Sequence, residues 1–193
     1  MYVKTKKGKM FMVCLYVDDM TYTANLVLEY FKAVMKTKFE MNDLGLMKYF
    51  LGLEVTQIDK GIFIFQNKYA IDILHRFRMD KCKPTDTPVA LETKLTNNDD
   101  GPTVNSTFYK RMVGSLMYLD STRPNLMYVV SLISRFYMES PTDSQWKVGK
   151  RIMRYVVGTL GYGFWYTHTL DSTLTLYNDI DFSGIIDGKE KRI

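Results

Sequence analysis

Two adjacent aspartates stand at a tight turn between two strand-like segments near the start of the chain. The residues Tyr16-Val17-Asp18-Asp19 separate the apolar run 10–15 from a second strand-like run at 20–24. Two ionised carboxylates repel each other, and a divalent cation relieves that repulsion because Mg²⁺ prefers oxygen ligands. The pattern therefore indicates a divalent-metal site at Asp18 and Asp19. The alternative is an ordinary Asp-Asp hairpin turn in water.

A basic stripe is the second group of side chains that could do chemistry. Lys147, Lys150, Arg151 and Arg154 recur at i, i+3, i+4 and i+7, so a helix places them on one face. A row of cations can follow a phosphate backbone, with arginine binding phosphate in fork geometry and lysine acting as a point charge. The stripe therefore indicates nucleic-acid binding, and the alternative is a solvated helix face.

The elements that must position the aspartates form an α+β segment. Residues 2–24 are predicted to run strand, turn, strand, turn, strand, with Asp18-Asp19 at the second turn. A helix near 26–39 follows, and then a second hairpin with strands near 47–57 and 61–66.

From residue 67 onward the apolar side chains recur at helical spacing. The composition of 83–105 predicts a linker, and its adjacent pair Asp99-Asp100 is predicted to be solvated. Thr142 and Gln145 fit a capping box, and Gly158 fits a left-handed helix stop. The predicted elements are a helix from residue 67, helices at 106–121, from Pro124 and at 142–158, and strands near 162–167 and 173–178.

Size and composition suit a globular protein inside the cell. The chain has 193 residues, 46% of them hydrophobic, and a formal net charge of +5, which favours polyanionic partners weakly. No apolar run approaches the roughly 20 residues that span a bilayer, and the charged start 1–9 is not followed by an apolar stretch of signal-peptide length. The two cysteines lack the spacing of a zinc or redox motif. We expect a protein that is neither secreted nor in a membrane.

Several segments, in order along the chain, resemble the reverse transcriptase of copia-type retrotransposon polyproteins. Tyr16-Val17-Asp18-Asp19 resembles the catalytic turn of that family. The other matching segments are Phe39-Glu-Met-Asn-Asp-Leu-Gly45, Tyr49-Phe-Leu-Gly-Leu-Glu-Val55, Val113-Gly-Ser-Leu-Met-Tyr118, Thr122-Arg-Pro124, Ser134-Arg-Phe136, Arg154-Tyr155 and Val157-Gly-Thr159.

The resemblance implies RNA-directed DNA synthesis with Mg²⁺ on a template-primer of nucleic acid. By this likeness Asp18 binds the metal directly, Asp19 is the supporting acid, and Tyr16 and Val17 line the primer and nucleotide side. Residues 1–66 would then be a partial palm whose second hairpin holds the primer, and 67–168 a helical thumb or connection region.

The last residues resemble the first strand of the ribonuclease H domain that follows reverse transcriptase in these polyproteins. In the segment 177–184, Asp179 matches the first metal-binding carboxylate of that domain. We treat 169–193 as a truncated start of this domain and expect no ribonuclease activity. The alternative for Asp179 is an incidental acid on a surface strand.

Family members carry a further metal-binding aspartate on an upstream strand, and this sequence contains no match to it. We therefore expect no polymerase activity from this chain alone, and uncovered strand edges that a complementing protein segment could fill. The competing hypothesis is a non-catalytic retrotransposon remnant that binds nucleic acid or a partner through its basic helical region.

Overall fold

A computed structural model of the chain describes residues 1–6, 9–24, 28–90, 101–135 and 140–168. The chain divides into two compact units, Met1–Lys48 and Tyr49–Ile193. Over the described residues the structure is mixed α and β, with two antiparallel sheets and five α-helices. This agrees with the predicted α+β class.

The first unit is a three-stranded antiparallel sheet followed by one helix. The strand order is β1-β2-β3, so the two hairpins predicted within 2–24 are confirmed. The elements are β1 (Tyr2–Lys6), β2 (Lys9–Tyr16), β3 (Asp19–Ala24) and α1 (Leu28–Lys38).

One face of this sheet packs against α1. The Phe31 ring on α1 meets the Phe11 ring edge-on at 4.9 Å between centroids and the Tyr22 ring at 5.9 Å. Val13, directly opposite Tyr22 in the register, is buried on the same face. The helix covers only part of the face, because an apolar groove of about 340 Å³ stays open along it, lined by residues that include Leu15 and Met35.

The second unit joins a four-stranded antiparallel sheet, in the order β4-β5-β6-β7, to four helices. A short 3₁₀ turn, Asp120–Thr122, links the second and third of these helices. The elements are β4 (Tyr49–Phe50), β5 (Leu53–Ile58), β6 (Gly61–Phe65), α2 (Asn67–Arg76), α3 (Ser106–Leu119), α4 (Pro124–Arg135), α5 (Asp143–Gly158) and β7 (Gly163–Thr167).

The core of the second unit lies among its helices. Tyr109 on α3 is fully buried, and its hydroxyl donates to the Ile133 carbonyl on α4 at 3.0 Å. Burial without a charged neighbour raises the pKa of Tyr109 to about 12. The other large side chains at the centre are Ile73, Met112, Leu116, Leu119, Leu126, Ile152 and Met153.

The division between the units differs from the boundary expected after residue 66. The hairpin of β5 and β6 belongs to the second unit, because β6 pairs along its whole length with β7. The Glu54 carboxylate on β5 also accepts from the backbone N–H of Lys68 at 2.8 Å, which satisfies a first-turn donor of α2. The strand predicted at 173–178 lies outside the described residues, and the observed partner of β7 is β6.

Of the two caps predicted for α5, the structure has the one at the N-terminus and lacks the one at the C-terminus. The capping box of Thr142 and Gln145 is confirmed, with the Gln145 amide oxygen accepting from the Thr142 backbone N–H at 3.1 Å. The left-handed stop at Gly158 is wrong, because Gly158 is helical and the C-cap residue Thr159 has φ −131°. The last turn ends instead through Thr159, whose backbone N–H donates to the Val156 carbonyl at 3.0 Å.

Helices long and apolar enough to cross a bilayer do not occur in the described parts of the chain.

Candidate active site

The β2–β3 turn brings Asp18 and Asp19 to the tip of a hairpin. Tyr16 pairs with Asp19, so Val17 and Asp18 are the two central residues of the turn. Val17 has φ +53° whereas Asp18 has no positive φ, which is the pattern of a type II′ turn. Glycine usually occupies that first position, and a β-branched residue there is an outlier. Such backbone strain is concentrated at functional sites.

The tip of this hairpin is open to solvent. Asp18 and Asp19 are exposed, the Val17 side chain is 85% exposed, and Tyr16 is 51% exposed. Both carboxylates are therefore accessible to an ion or a substrate phosphate. The predicted aspartate turn is present and is not covered by the apolar face of the first unit.

Strand alternation places Asp19 on the sheet face away from α1. Residues directly opposite each other in an antiparallel pair share a face, so Asp19 shares a face with Tyr16. The neighbouring pair, Leu15 and Met20, points to the other face and lines the apolar groove. The hairpin thus has one face that carries Asp19 and an opposite, apolar face that packs against α1.

The aspartate pair has the donor chemistry for Mg²⁺ but few donors. Within the ranges that the structure describes, no group of three or more His, Cys, Asp or Glu side chains comes together to hold a metal. Mg²⁺ is commonly bound by one or two carboxylates that share it with water and substrate phosphates. Asp18 and Asp19 therefore fit an ion held jointly with a phosphate-bearing ligand and do not make a closed protein cage.

A third acid, Asp43, has a well-defined environment that the sequence reasoning missed. Its carboxylate accepts from the Gly45 backbone N–H at 3.0 Å and from the Tyr22 hydroxyl at 3.1 Å, and it pairs with Lys32 at 3.1 Å. The Gly45 hydrogen bond, then the Lys32 and Tyr22 hydrogen bonds, lower the pKa of Asp43 to about 2.

These contacts tie the segment after α1 to α1 and β3, the strand that begins with Asp19. The same carboxylate raises the pKa of Lys32, and burial together with Asp43 raises the pKa of Tyr22. The spacing Asp43-Leu44-Gly45, in which an acid can bond a backbone N–H two residues later, is the sequence signal that could have revealed this network.

The basic stripe lies on α5 as predicted, but its four members have different surroundings. Lys147 pairs with Asp143 one turn earlier at 2.7 Å, and the Lys150 ammonium lies 5.8 Å from the centre of the Trp146 ring. Both arginines contact the segment after α2. Arg151 donates to the Thr87 hydroxyl at 3.0 Å, and Arg154 donates to the Lys83 carbonyl at 2.8 Å.

The arginines therefore dock the segment around 83–87 onto α5. A guanidinium bound to a backbone carbonyl of its own chain has fewer donors left for phosphate. The structure thus divides the predicted stripe into two lysines on the surface and two arginines that also hold the fold together.

Arg123 is a buried cation, and no pattern in the sequence predicted its role. Its side chain is fully buried and donates to the Thr159 carbonyl at 2.8 Å and the Leu160 carbonyl at 2.7 Å. Burial lowers the pKa of Arg123 to about 10. The carbonyls at the end of a helix carry partial negative charge, so Arg123 compensates the C-terminus of α5.

Asp179, the acid assigned to a truncated ribonuclease H strand, lies outside the described residues. Its assignment stays a prediction from sequence.

Comparison with known proteins identifies the relatives of this chain. The sequence profile described as Reverse transcriptase (RNA-dependent DNA polymerase) matches residues 1–91, which include the aspartate turn and the Asp43 segment. No solved structure matches the chain.

The similar proteins include polyproteins from plant transposons. The Retrovirus-related Pol polyprotein from transposon RE2 of Arabidopsis thaliana is 36% identical over 174 residues, which are 89% of this chain and 12% of that protein. The Retrovirus-related Pol polyprotein from transposon TNT 1-94 of Nicotiana tabacum is 33% identical over 91% of this chain and 14% of its own length. An uncharacterized mitochondrial protein of Arabidopsis thaliana is 34% identical, and the match covers 88% of this chain and 71% of that protein.

Proposed function

Because this chain belongs to the reverse transcriptase family of copia-type retrotransposon Pol polyproteins, we propose that its Tyr16–Asp19 turn supplies catalytic carboxylates for RNA-directed DNA synthesis. The chain spans 12% of the RE2 polyprotein and 14% of the TNT 1-94 polyprotein, so the activity of a whole polyprotein is part of this proposal.

The observation that carries the proposal is the geometry of the turn. Val17 takes a left-handed conformation that a β-branched residue avoids, and the adjoining carboxylates of Asp18 and Asp19 are exposed. A hairpin selected only for stability would be expected to have glycine or asparagine at that position. The strained turn is better explained by what it presents to solvent.

In this proposal Asp18 binds the metal directly and Asp19 is the supporting acid. Tyr16 and Val17 line the side on which primer and nucleotide lie. The bound Mg²⁺ would supply charge neutralisation for phosphoryl transfer. The residues of this chain hold the carboxylates at a fixed tip, which orients them toward a phosphate.

The first test is metal affinity. Mn²⁺ replaces Mg²⁺ as a probe, and the free ion is measured by electron paramagnetic resonance in the presence of a deoxynucleoside triphosphate. We expect Asp18→Asn to abolish the protein-dependent part of binding and Asp19→Asn to weaken it about tenfold, the effect typical of a supporting group. The control is Asp100→Asn, which changes the net charge as much as either single variant at the turn.

An equal loss of binding in the control variant would contradict the proposal, because the effect would then come from net charge. We also expect no primer extension by the 193-residue chain with Mg²⁺, since the described residues bring only two carboxylates to the tip. Extension by the purified chain would show that two are sufficient.

A second candidate function is binding of nucleic acid through α5. The Lys147–Asp143 pair is a surface ion pair, of the kind that contributes about 0–1 kcal/mol, so Lys147 can exchange Asp143 for a phosphate at little cost. Lys150 lies beside Trp146 on the same helix, and cation and ring together suit a nucleic-acid surface.

The test compares two double variants by their salt dependence. Replacing Lys147 and Lys150 by Gln should lower the slope of log affinity against log salt by about 2 on a short RNA–DNA duplex, since each phosphate contact contributes about 0.9. Replacing Arg151 and Arg154 by Gln should instead loosen the docked segment near Thr87. An unchanged slope in the lysine variant would remove α5 from the interface.

The unit assignments stay proposals in this family context. We assign Met1–Lys48 to part of the palm, the β4–β5–β6 hairpins to a primer-holding element, and the helices of the second unit to a thumb or connection region. The open apolar groove of the first unit, lined by Leu15 and Met35 among others, supports a complementing protein segment. A mitochondrial relative supports a location inside the cell.

A further inference from the structure

The β4–β5 turn has an unusual backbone at its tip. Phe50 pairs with Leu53, which leaves Leu51 and Gly52 as the two central residues. Leu51 has φ +49° and Gly52 has φ +78°, and positive values at both positions are the pattern of a type I′ turn. Asparagine followed by glycine is the favoured pair there, whereas leucine rarely adopts a left-handed conformation. Something outside the turn must hold Leu51.

Tyr118 on α3 is the side chain that contacts this turn. Its hydroxyl donates a hydrogen bond to the Leu51 carbonyl. Its ring lies against Gly52, because a Cβ at Gly52 would come within 3.1 Å of the Tyr118 hydroxyl oxygen. The contact spans 67 residues of sequence, so no local turn rule predicts it.

The Tyr118 ring is itself held from α2. The Tyr69 ring meets it edge-on, with 4.9 Å between centroids and an interplanar angle of 80°. The Tyr69 hydroxyl donates to the Ser115 carbonyl of α3 at 3.2 Å, which fixes the angle of the Tyr69 ring. Two helices of the second unit thus determine where the tip of the turn lies.

The surface beside the turn can meet nucleic acid. Tyr49 is 56% exposed, and the Lys68 ammonium lies 5.4 Å from the centre of its ring. Leu51 itself is 42% exposed. An exposed aromatic ring beside a cation can contact both the sugar or base surface and the phosphate of a nucleic acid.

We propose that Tyr118 is a positioning residue that holds Leu51 in the left-handed conformation and so sets the orientation of the β4–β5 turn toward a template-primer. The inference rests on the proposed function for its nucleic-acid partner. The holding of the turn by Tyr118 is a separate physical statement, and it is tested separately.

The experiment is a double-variant cycle on the full chain. Tyr118→Phe removes the hydroxyl and keeps the ring, and Leu51→Asn supplies a residue that adopts the turn without help. Amide hydrogen exchange at Leu53, the residue that closes the turn, reports how firmly the turn is held. Fluorescence anisotropy with a short RNA–DNA duplex reports binding.

In the natural background we expect Tyr118→Phe to speed exchange at Leu53 about fivefold, the effect of losing one neutral hydrogen bond, and to weaken duplex binding about threefold. In the Leu51→Asn background the same substitution should change either quantity by less than about twofold, because the turn then holds itself. This rescue distinguishes positioning from a general loss of stability.

Tyr109→Phe is the matched control. It removes another hydroxyl that donates from α3 to a backbone carbonyl, but at the Ile133 end of the core. It should lower global stability and leave exchange at Leu53 unchanged, because that amide exchanges through local opening of the turn.

Equal effects of Tyr118→Phe in both backgrounds would overturn the proposal, and so would faster exchange at Leu53 with unchanged duplex affinity. Absence of any duplex binding by the natural chain would count against the proposed function. The exchange data would still decide whether Tyr118 holds Leu51.

Discussion

Replacing Val17 by glycine isolates the strain of the catalytic turn. Val17 has φ +53° and is 85% exposed, so its side chain contributes little burial and its backbone is unfavourable. Relief of a left-handed conformation in an L-residue contributes about 1–2 kcal/mol. The larger conformational entropy of glycine in the unfolded chain opposes this by about 0.5–1 kcal/mol.

The balance predicts that Val17→Gly stabilises the first unit by about 0.5–1 kcal/mol, since the relieved strain exceeds the entropy cost. Val3→Gly on β1 is the matched control. Val3 is also exposed, at 51%, and has no left-handed backbone, so Val3→Gly relieves no strain and the entropy cost is not offset. We expect Val3→Gly to destabilise the same unit by about 0.5–1 kcal/mol.

The assay must report on the first unit alone. Both tryptophans, Trp146 and Trp165, lie in the second unit, so their fluorescence follows the other unit. Native-state hydrogen exchange at the paired amides of β2 and β3 measures the free energy of opening at the site itself. Equal destabilisation by Val17→Gly and Val3→Gly would refute the reasoning, because Val17 would then carry no strain.

Other predictions concern the charged residues. Arg123→Met should destabilise the second unit by about 3 kcal/mol in urea unfolding, because it removes two hydrogen bonds from a charged donor. The Leu160 carbonyl loses its Arg123 donor, and the Thr159 carbonyl keeps only the Tyr162 backbone N–H at 3.0 Å. A change within about 0.5 kcal/mol, which is typical of a surface substitution, would contradict this. Asp43 has its pKa lowered from 3.8 to about 2, so its stabilisation is present above pH 3.8 and is lost as the pH falls through about 2. Hydrogen exchange in the first unit should therefore show that the natural chain is more stable than Asp43→Asn at neutral pH. This difference in stability should shrink as the pH falls from 4 to 2. A difference that does not change with pH in that window would contradict the assigned contacts.

The local elements of the fold could be predicted from sequence because short-range rules determine them. The aspartate hairpin, the start of α4 at Pro124 and the capping box at Thr142 each depend on residues close in sequence. The partner of β7 depends on β6, which lies about a hundred residues earlier, and strand periodicity carries no information on which strand is the neighbour. The placement of β5 and β6 in the second unit depends on the same distant pairing.

In the candidate site, too, features that depend on nearby residues could be predicted and features that depend on distant residues could not. The residue types at the turn were sufficient to predict Asp18 and Asp19 as candidate metal ligands. The left-handed conformation of Val17 is visible only in the backbone of the structure. Helical spacing predicted the basic face of α5, but the docking of Arg151 and Arg154 on the segment at 83–87 requires the tertiary fold. A buried cation such as Arg123 has no local signature, because its partners at Thr159 and Leu160 come from a distant helix end.

The central claim is that the exposed aspartate tip binds a divalent ion together with a phosphate. The most direct measurement is paramagnetic broadening of backbone amide signals by Mn²⁺ in the presence of a deoxynucleoside triphosphate. We predict that in the natural chain the broadening is strongest at Val17, Asp18 and Asp19. We predict that Asp18→Asn abolishes it. Broadening centred on other acids, with the signals of the turn unaffected, would contradict the claim.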